Sequence, residues 1–364
     1  MNEKKRVVVA MSGGVDSSLA AYLLQEQGYQ VIGITMRLFS TEDPYASKHN
    51  KSCCSIEDAL DAKRVCQLLG IPHYTLNFEK EFKKHVIDYF ISEYAKGRTP
   101  HPCIACNDKM KFAFFLRRAQ ALEADFIATG HYARKVTTNK GEHYLEKAVD
   151  DDKDQTYVLY GMGQEELSQV LFPMGDFHKS DIRRIARELD LPVADKPDSQ
   201  DICFVPTGDY REFLSSRTDQ RPGAIMNADG KILGMHQGVS DYTIGQRRNL
   251  GIPAQGKPVY VIDINPELAT VTIGSDEDLY HSSLVADRAN FVSGTIPEDP
   301  IEATVKVRYK ASEEPAIIKA QENGDIRVDF SEPQRAITPG QAVVFYHKDR
   351  VLGGAVIREA VTAP

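Results

Sequence analysis

An apolar run, a glycine-rich turn and a helix-forming stretch follow one another directly near the start of the chain. Val7–Met11 predicts a buried strand, Ser12–Ser18 reads Ser-Gly-Gly-Val-Asp-Ser-Ser, and Leu19–Gln27 favours a helix. Glycine lets the backbone turn sharply, and the first N–H groups of a helix have no partner within the helix. This unit therefore predicts a phosphate-binding turn at a helix N-terminus, rather than a turn that merely joins two elements.

The spacing within this turn narrows the type of nucleotide site. The turn lacks the Gly-Lys-Ser/Thr ending of a Walker loop and the second glycine spacing of a dinucleotide fingerprint. The order Ser-Gly-Gly-x-Asp-Ser instead resembles the PP-loop of enzymes that split ATP into AMP and pyrophosphate to adenylate a substrate. That resemblance implies ATP, with Mg²⁺ to neutralise charge on the departing pyrophosphate and Asp16 to help orient the ion.

Secondary-structure signals divide the chain into an α/β part and a β part. Strand and helix signals alternate over about the first 200 residues, which predicts a parallel sheet covered by helices. Beyond Phe204 short strands take over, with a hairpin predicted from Lys257–Ile264 and Thr270–Gly274 and a small barrel or sandwich after Val285. The expected class is α/β. The domains are a parallel-sheet unit of the PP-loop, adenine-nucleotide α-hydrolase kind (1–208) and two small mainly-β units (209–284 and 285–364), the last a β-barrel.

Composition limits the functional classes. The 364 residues are 42% hydrophobic and 26% charged, as expected for a globular protein of two or three domains. No apolar run approaches the ~20 residues that cross a bilayer, and Met1–Arg6 leads straight into the first strand, so neither a membrane partner nor a signal peptide is expected. The net charge of −8 argues against a nucleic-acid partner unless basic residues cluster locally.

The six cysteines are too few for a disulfide scaffold, which favours a reducing, cytoplasmic location and catalytic or metal-binding thiols. Cys103 and Cys106 form a Cys-x-x-Cys pair ahead of a predicted helix, Lys109–Glu123. Cys106 is expected close to the N-terminus of that helix, where the dipole favours thiolate. From spacing alone the pair is redox-active, half of a zinc site, or incidental. Cys203 lies where the first domain is predicted to end.

The other three cysteines have no comparable context. Cys66 falls on the predicted buried face of a helix, so we interpret it as a core residue. Cys53 and Cys54 follow the polar stretch Thr41–Ser52, which is predicted to be a mobile loop, and the sequence assigns them no role.

Five motifs occur in an order that resembles one enzyme family over nearly the whole chain. They are Ser12–Ser18, Gly130–Tyr132, Asp152–Gln155, Ser199–Phe204 and Asp241–Arg248. Together they resemble the bacterial tRNA-specific 2-thiouridylases, which thiolate the wobble uridine of tRNA.

The resemblance implies a two-step reaction. ATP adenylates the 2-carbonyl oxygen of uracil, and sulfur from a persulfide on Cys203 then displaces AMP with the help of Cys106. The two thiols can finish as a disulfide. The implied partners are tRNA and a persulfide donor, either a cysteine desulfurase or a relay protein.

The same resemblance implies the binding residues. Those expected to contact ATP are Ala10, Met11, Ser12, Gly13, Gly14, Val15, Asp16, Ser17, Met36 and Gly130. Those expected to contact tRNA are His101, Pro102 and Cys103 beside the target base, and His131, Lys153, Asp154, Gln155, Arg308, Tyr309 and Gln341 elsewhere. The target base must leave its stack to react, so contacts around it are required.

Two departures from the family pattern keep other interpretations open. His101 stands where members often have Asn, and Cys103 stands where many have Asp. The second change gives three thiols, Cys103, Cys106 and Cys203, which could hold an iron–sulfur cluster that supplies sulfur instead of a persulfide. The remaining alternatives are a PP-loop ligase acting on a small molecule and an RNA-binding protein without catalytic activity.

Overall fold

The computed structural model describes residues 4–39, 56–198, 202–205 and 208–361. The predicted loop Thr41–Ser52, the unassigned Cys53 and Cys54, and Ser199–Asp201 of the fourth motif lie outside these residues.

The strands are given in chain order. They are β1 (Arg6–Ala10), β2 (Gln30–Arg37), β3 (His73–Asn77), β4 (Phe126–Ala128), β5 (Arg134–Thr137), β6 (His143–Glu146), β7 (Val170–Leu171), β8 (Gly223–Asn227), β9 (Ile232–His236), β10 (Tyr260–Asn265), β11 (Thr270–Gly274), β12 (Tyr280–Phe291), β13 (Ile301–Lys306), β14 (Glu314–Ala320), β15 (Ile326–Arg335), β16 (Ala342–His347) and β17 (Arg350–Val361).

The α-helices are α1 (Val15–Glu26), α2 (Ile56–Leu69), α3 (Glu79–Phe82), α4 (Asp88–Ala95), α5 (Pro102–Ala105), α6 (Leu116–Gln120), α7 (Gln164–Gln169), α8 (Lys179–Glu188) and α9 (Tyr210–Ser215). Two segments are π-helical, Lys83–Ile87 and Cys106–Phe115. Short 3₁₀ turns occupy Asp151–Lys153, Thr156–Leu159, Val239–Asp241 and Glu277–Leu279. None of the helices described here is both long and apolar enough to span a bilayer.

The N-terminal sheet has the strand order β3-β2-β1-β4-β7, with every pairing parallel. Along β1, Val8 and Ala10 belong to one apolar core, while Val7 and Val9 belong to a second core that contains the buried face of α1. Successive side chains of a strand point to opposite faces, so a strand covered on both faces must be apolar throughout. This requirement explains the uninterrupted apolar run in the sequence, and the predicted parallel sheet is confirmed.

The other two sheets form the β part. A four-stranded sheet in the order β10-β11-β8-β9 has a small core of its own. The strands β12, β15, β14, β13, β16 and β17 close into a barrel through the β12–β17 pairing. The β5–β6 hairpin extends this barrel sheet, since Glu146 of β6 pairs with Arg350 of β17. The predicted hairpin and C-terminal barrel are confirmed, and the β5–β6 hairpin joins the barrel to the first domain.

The expected position of Cys106 at a helix N-terminus is wrong. The helix begins at Pro102, turns π-helical at Cys106 and returns to α geometry at Leu116, so it starts well before the predicted Lys109. Proline is favoured at a first helical position because its missing N–H would have no partner there. Cys106 therefore lies four residues inside the helix, where the unpaired amides of an N-terminus cannot stabilise its thiolate.

Candidate nucleotide and thiol site

The residues expected to contact ATP lie at one edge of the parallel sheet. Ala10 ends β1, Met36 is the next-to-last residue of β2, and Gly130 follows β4 by two residues. These three strands are neighbours and run in the same direction. Ligands of open α/β sheets bind beyond the carboxyl ends of the strands, which is the edge where these residues meet.

Two glycines of this edge occupy positions that admit no side chain. Gly13 has φ +72°, and a Cβ there would lie 2.1 Å from the carbonyl oxygen of Asp58. A Cβ on Gly130 would lie 2.7 Å from the amide nitrogen of Ser17. The backbone after β4 thus packs directly against the first turn of α1, whose N-cap residue is Gly14 and brings no capping side chain. Because Gly14 has no side chain to cap the first amides of α1, this helix start suits phosphate binding.

A buried lysine that the sequence analysis did not single out binds the aspartate of the loop. Lys179, in the first turn of α8, is only 9% exposed, and its Nζ lies 2.7 Å from both carboxylate oxygens of Asp16. The hydroxyl of Tyr132 donates a further hydrogen bond of 2.8 Å to Asp16 Oδ1. The carboxylate offers oxygens of the kind Mg²⁺ prefers, and the Lys179 ammonium occupies part of its hydrogen-bonding capacity.

Asp198 extends these contacts into a charged cluster, which we define as Asp16, Lys153, Lys179, Arg183 and Asp198. The Asp198 carboxylate lies 2.9 Å from a nitrogen of each of the three basic residues. Burial alone would raise the pKa of Asp198, but hydrogen bonds from Lys179 and Lys153 outweigh it and lower the pKa to about 2. The cluster therefore joins the nucleotide loop to Lys153, which the family resemblance implies in tRNA binding.

A second lysine ties the same segment to the loop. Lys196 Nζ lies 3.0 Å from the carbonyl oxygen of Gly13, 2.6 Å from Asp58 and 2.7 Å from Asp61. Lys196 and Asp198, which come shortly before the Cys203 motif in the chain, therefore both contact the nucleotide side: Lys196 binds the Gly13 carbonyl oxygen and Asp198 binds Lys179.

The two cysteines expected to be catalytic pack against one apolar core. Cys106 and Cys203 are both partly buried against the cluster that includes Ala10 and Met36. Cys103, three residues before Cys106 on the same helix, is exposed and close enough to raise the pKa of the Tyr309 hydroxyl after the larger effect of burial. Both thiols thus border the same extended core that contains Ala10 and Met36.

Cys66 behaves as predicted for a core residue. It is fully buried in the second core, and burial raises its pKa to about 12.

In the described ranges, no three His, Cys, Asp or Glu side chains are arranged to hold a metal ion. The alternative in which Cys103, Cys106 and Cys203 hold an iron–sulfur cluster stays a prediction, and we derive no step through one.

Comparison with known proteins assigns the chain to a family. The tRNA methyl transferase HUP domain matches residues 5–207, the tRNA methyl transferase PRC-barrel domain 211–275, and the aminomethyltransferase beta-barrel domain 281–357. A tRNA-specific 2-thiouridylase, MnmA 2 of Caldanaerobacter subterraneus subsp. tengcongensis, is 48% identical over 99% of this chain and 100% of its own length. The chain belongs to the tRNA-specific 2-thiouridylase family. The MnmA of Clostridium perfringens is also 48% identical, over 97% of this chain and 98% of its own.

Several residues that the 2-thiouridylase resemblance implies in tRNA binding meet where the first domain contacts the barrel. His101, Tyr157 and Tyr309 form an aromatic cluster, with ring centroids 5.8–6.1 Å apart. Burial lowers the pKa of His101 to about 4, so its ring is neutral near pH 7. Gln341 donates a hydrogen bond of 2.8 Å to the carbonyl oxygen of Thr99, which holds the stretch before Pro102 against the barrel.

Other residues expected to touch tRNA make internal contacts. Asp154 accepts hydrogen bonds from Ala148 N and Thr156 Oγ1, and Gln155 Oε1 accepts one from the amide of Tyr132. Lys153 is in the charged cluster, and the side chain of Arg308 is exposed beside Tyr309.

His131 is the member of this group most enclosed by the protein. It is 8% exposed and lies 2.8 Å from Thr129 Oγ1 and 3.1 Å from Lys111 Nζ. Lys111, Lys179 and Lys196 could not be found from the sequence, because their partners are distant in the chain and no local pattern marks them.

Proposed function

We propose that this chain is an ATP-dependent tRNA-uridine 2-sulfurtransferase that acts on the wobble uridine. The observation that carries the proposal is the shared apolar core, which contacts Cys106 and Cys203 and contains Ala10 and Met36 of the nucleotide edge. Relatives of nearly equal length, 48% identical, are tRNA-specific 2-thiouridylases. The thiolation of a carbonyl requires a sulfur nucleophile and an adenylating loop, and this chain carries candidates for both that border one core.

The first step activates a poor leaving group. The 2-carbonyl oxygen of uracil attacks the α-phosphorus of ATP, the bond to the bridging oxygen breaks, and pyrophosphate leaves. Amides at the start of α1, directly after the Gly13–Gly14 turn, hold the phosphates. Mg²⁺ supplies positive charge to the departing pyrophosphate when it is bound.

The second step transfers sulfur. The terminal sulfur of a persulfide on Cys203 attacks C2 of uracil, loses its proton and displaces AMP. The thiolate of Cys106 then attacks Sγ of Cys203, and the electron pair of the broken S–S bond passes to the sulfur on uracil. The products are 2-thiouridine and a Cys106–Cys203 disulfide, which an external dithiol must reduce before the next turnover.

The tRNA contacts belong to the face where the barrel meets the first domain. We assign the border of the target base to His101, Pro102 and Cys103, because this stretch is fixed by the barrel and begins the helix that carries Cys106. A neutral imidazole beside two tyrosines provides aromatic surface for a base that has left its stack.

Cysteine variants test the sulfur route. With ATP, Mg²⁺, tRNA, and a cysteine desulfurase with cysteine as sulfur source, C203S is expected to lose at least about 100-fold in 2-thiouridine formed, measured by mass analysis of digested tRNA. Its tRNA-dependent pyrophosphate release should persist, because adenylation precedes sulfur transfer. C66A, which removes a thiol from the other core, is the matched control. Full thiolation by C203S would contradict the persulfide assignment.

Pyrophosphate release separates this function from a small-molecule ligase. The 2-thiouridylase reaction requires that pyrophosphate appear only when tRNA is added. Release that responds to added amino compounds and not to tRNA would contradict the proposed function.

A further inference from the structure

Lys111 is held beside the reaction site by a buried histidine. Its Nζ lies 3.1 Å from His131 Nε2, and His131 Nδ1 lies 2.8 Å from Thr129 Oγ1. An ammonium group can only donate, so Nε2 must carry the lone pair and Nδ1 the proton. Burial, and then the charge of Lys111, lower the pKa of His131 well below its usual value, which agrees with a neutral ring.

The π-helical segment turns Lys111 toward the same side as Cys106. The segment begins at Cys106 and continues to Phe115. A π-helix bonds residues five apart, so Cys106 and Lys111 lie on the same side of the helix, whereas in an α-helix they would be about 140° apart around the axis. π-Helical turns are rare and are often found at functional sites.

His131 also brings Lys111 close to the nucleotide edge. Its neighbour Gly130 packs so tightly on the loop that a Cβ would lie 2.9 Å from the carbonyl carbon of Asp16. His131 therefore connects Lys111 to the nucleotide loop. The helix that carries Lys111 also carries the thiol of Cys106.

The charge of Lys111 is uncompensated in the described part of the chain, where its ammonium forms no ion pair with a carboxylate. Lys179 and Lys196, the other two lysines beside the loop, each bind two carboxylates. A half-buried cation that is aimed by a neutral histidine and left without a counter-ion fits an anionic ligand.

We propose that Lys111 is a catalytic residue that contacts the α-phosphate passed from ATP to uracil, with His131 as the residue that positions it. This inference rests on the proposed function. In that reaction the α-phosphorus must lie between the pyrophosphate held at α1 and the base that Cys106 approaches. A fixed ammonium there stabilises charge on the non-bridging oxygens during adenylation and again when AMP leaves.

The test compares two lysines of one helix. K111Q is expected to lower the single-turnover rate of tRNA-dependent pyrophosphate release by about 100-fold, with little change in the KM for tRNA. K109Q removes the same charge from an exposed position two residues away and should stay within about twofold of the parent. H131Q keeps an acceptor for the ammonium and should retain far more activity than H131L.

The possible outcomes distinguish a failure of the role of Lys111 from a failure of the proposed function. A parent enzyme that releases no pyrophosphate with tRNA would overturn the proposed function itself. An active parent with an equally active K111Q would overturn only the role of Lys111. A K111Q variant that weakens tRNA binding and keeps the single-turnover rate would assign Lys111 to the tRNA backbone, contrary to the proposal.

Discussion

The two regions that flank the proposed reaction site are held by opposite kinds of contact. On the nucleotide side, the charged cluster links Asp16, Asp198 and three basic side chains through ion pairs of 2.7–2.9 Å. On the barrel side, the aromatic cluster of His101, Tyr157 and Tyr309 packs rings together, and neutral hydrogen bonds to backbone oxygens secure it.

The difference indicates how each region responds to a ligand. Phosphates and Mg²⁺ compete directly for the partners of an ion pair, and salt screens such pairs when they reach solvent. Phosphates and Mg²⁺ do not compete with packed aromatic rings in this way. We therefore expect the nucleotide side to rearrange when ATP binds, while the barrel side keeps the base-facing stretch before Cys106 in one position.

The largest effect on stability is expected on the barrel side. Tyr157 is 1% exposed, and its hydroxyl donates a hydrogen bond of 2.8 Å to the carbonyl oxygen of Ala342. Y157A should lower the free energy of unfolding by about 3–5 kcal/mol, because it leaves a cavity between the two domains. Urea unfolding at low and at high salt should give the same loss. Y157F, the matched control, removes only the hydroxyl and should cost about 1 kcal/mol. A small or salt-dependent loss of stability for Y157A would contradict the conclusion that aromatic packing holds the barrel side.

A smaller, salt-dependent effect is expected on the nucleotide side. K179M leaves Asp16 and Asp198 facing one another without the shared ammonium, and should lower the free energy of unfolding by about 2 kcal/mol at low salt. High salt should shrink the loss. R184M is the control, since it removes two exposed ion pairs of the same helix and should leave stability nearly unchanged. Equal losses at both salt concentrations would remove the distinction between the two regions.

The parts that could be predicted from sequence are those fixed by local rules. The apolar strand, the Gly13–Gly14 turn and the start of α1 follow one another in the chain. The hydrophobic pattern and the backbone preferences of glycine were therefore enough to predict them. The barrel was predictable from short strands separated by turn residues. The start of the thiol helix was predicted at Lys109, whereas Pro102, a residue favoured at a first helical position, begins it.

Contacts between distant residues could not be predicted. Lys179 meets Asp16 across 163 positions of the chain, and Lys196 meets Gly13 across 183. A lysine in the first turn of a helix carries no local sign of such a partner, since most lysines there are solvated. The π-helical geometry that aligns Lys111 with Cys106 likewise leaves no periodic signature in ten residues.

The smallest expected effect is a pH dependence, which tests whether charge stabilises the nucleotide side. The pKa of Asp198 is about 2 in the folded protein, below the value of about 4 for an unfolded aspartate. Its contribution to stability is therefore complete above about pH 4 and is lost as pH falls toward 2, and we expect about 1 kcal/mol because the carboxylate is partly solvated. D198N should be less stable than the parent by this amount at pH 6 and equally stable at pH 2. D195N, which breaks only the exposed pair with Arg187, should match the parent at both. A D198N deficit that persists at pH 2 would show that Asp198 acts through packing rather than charge.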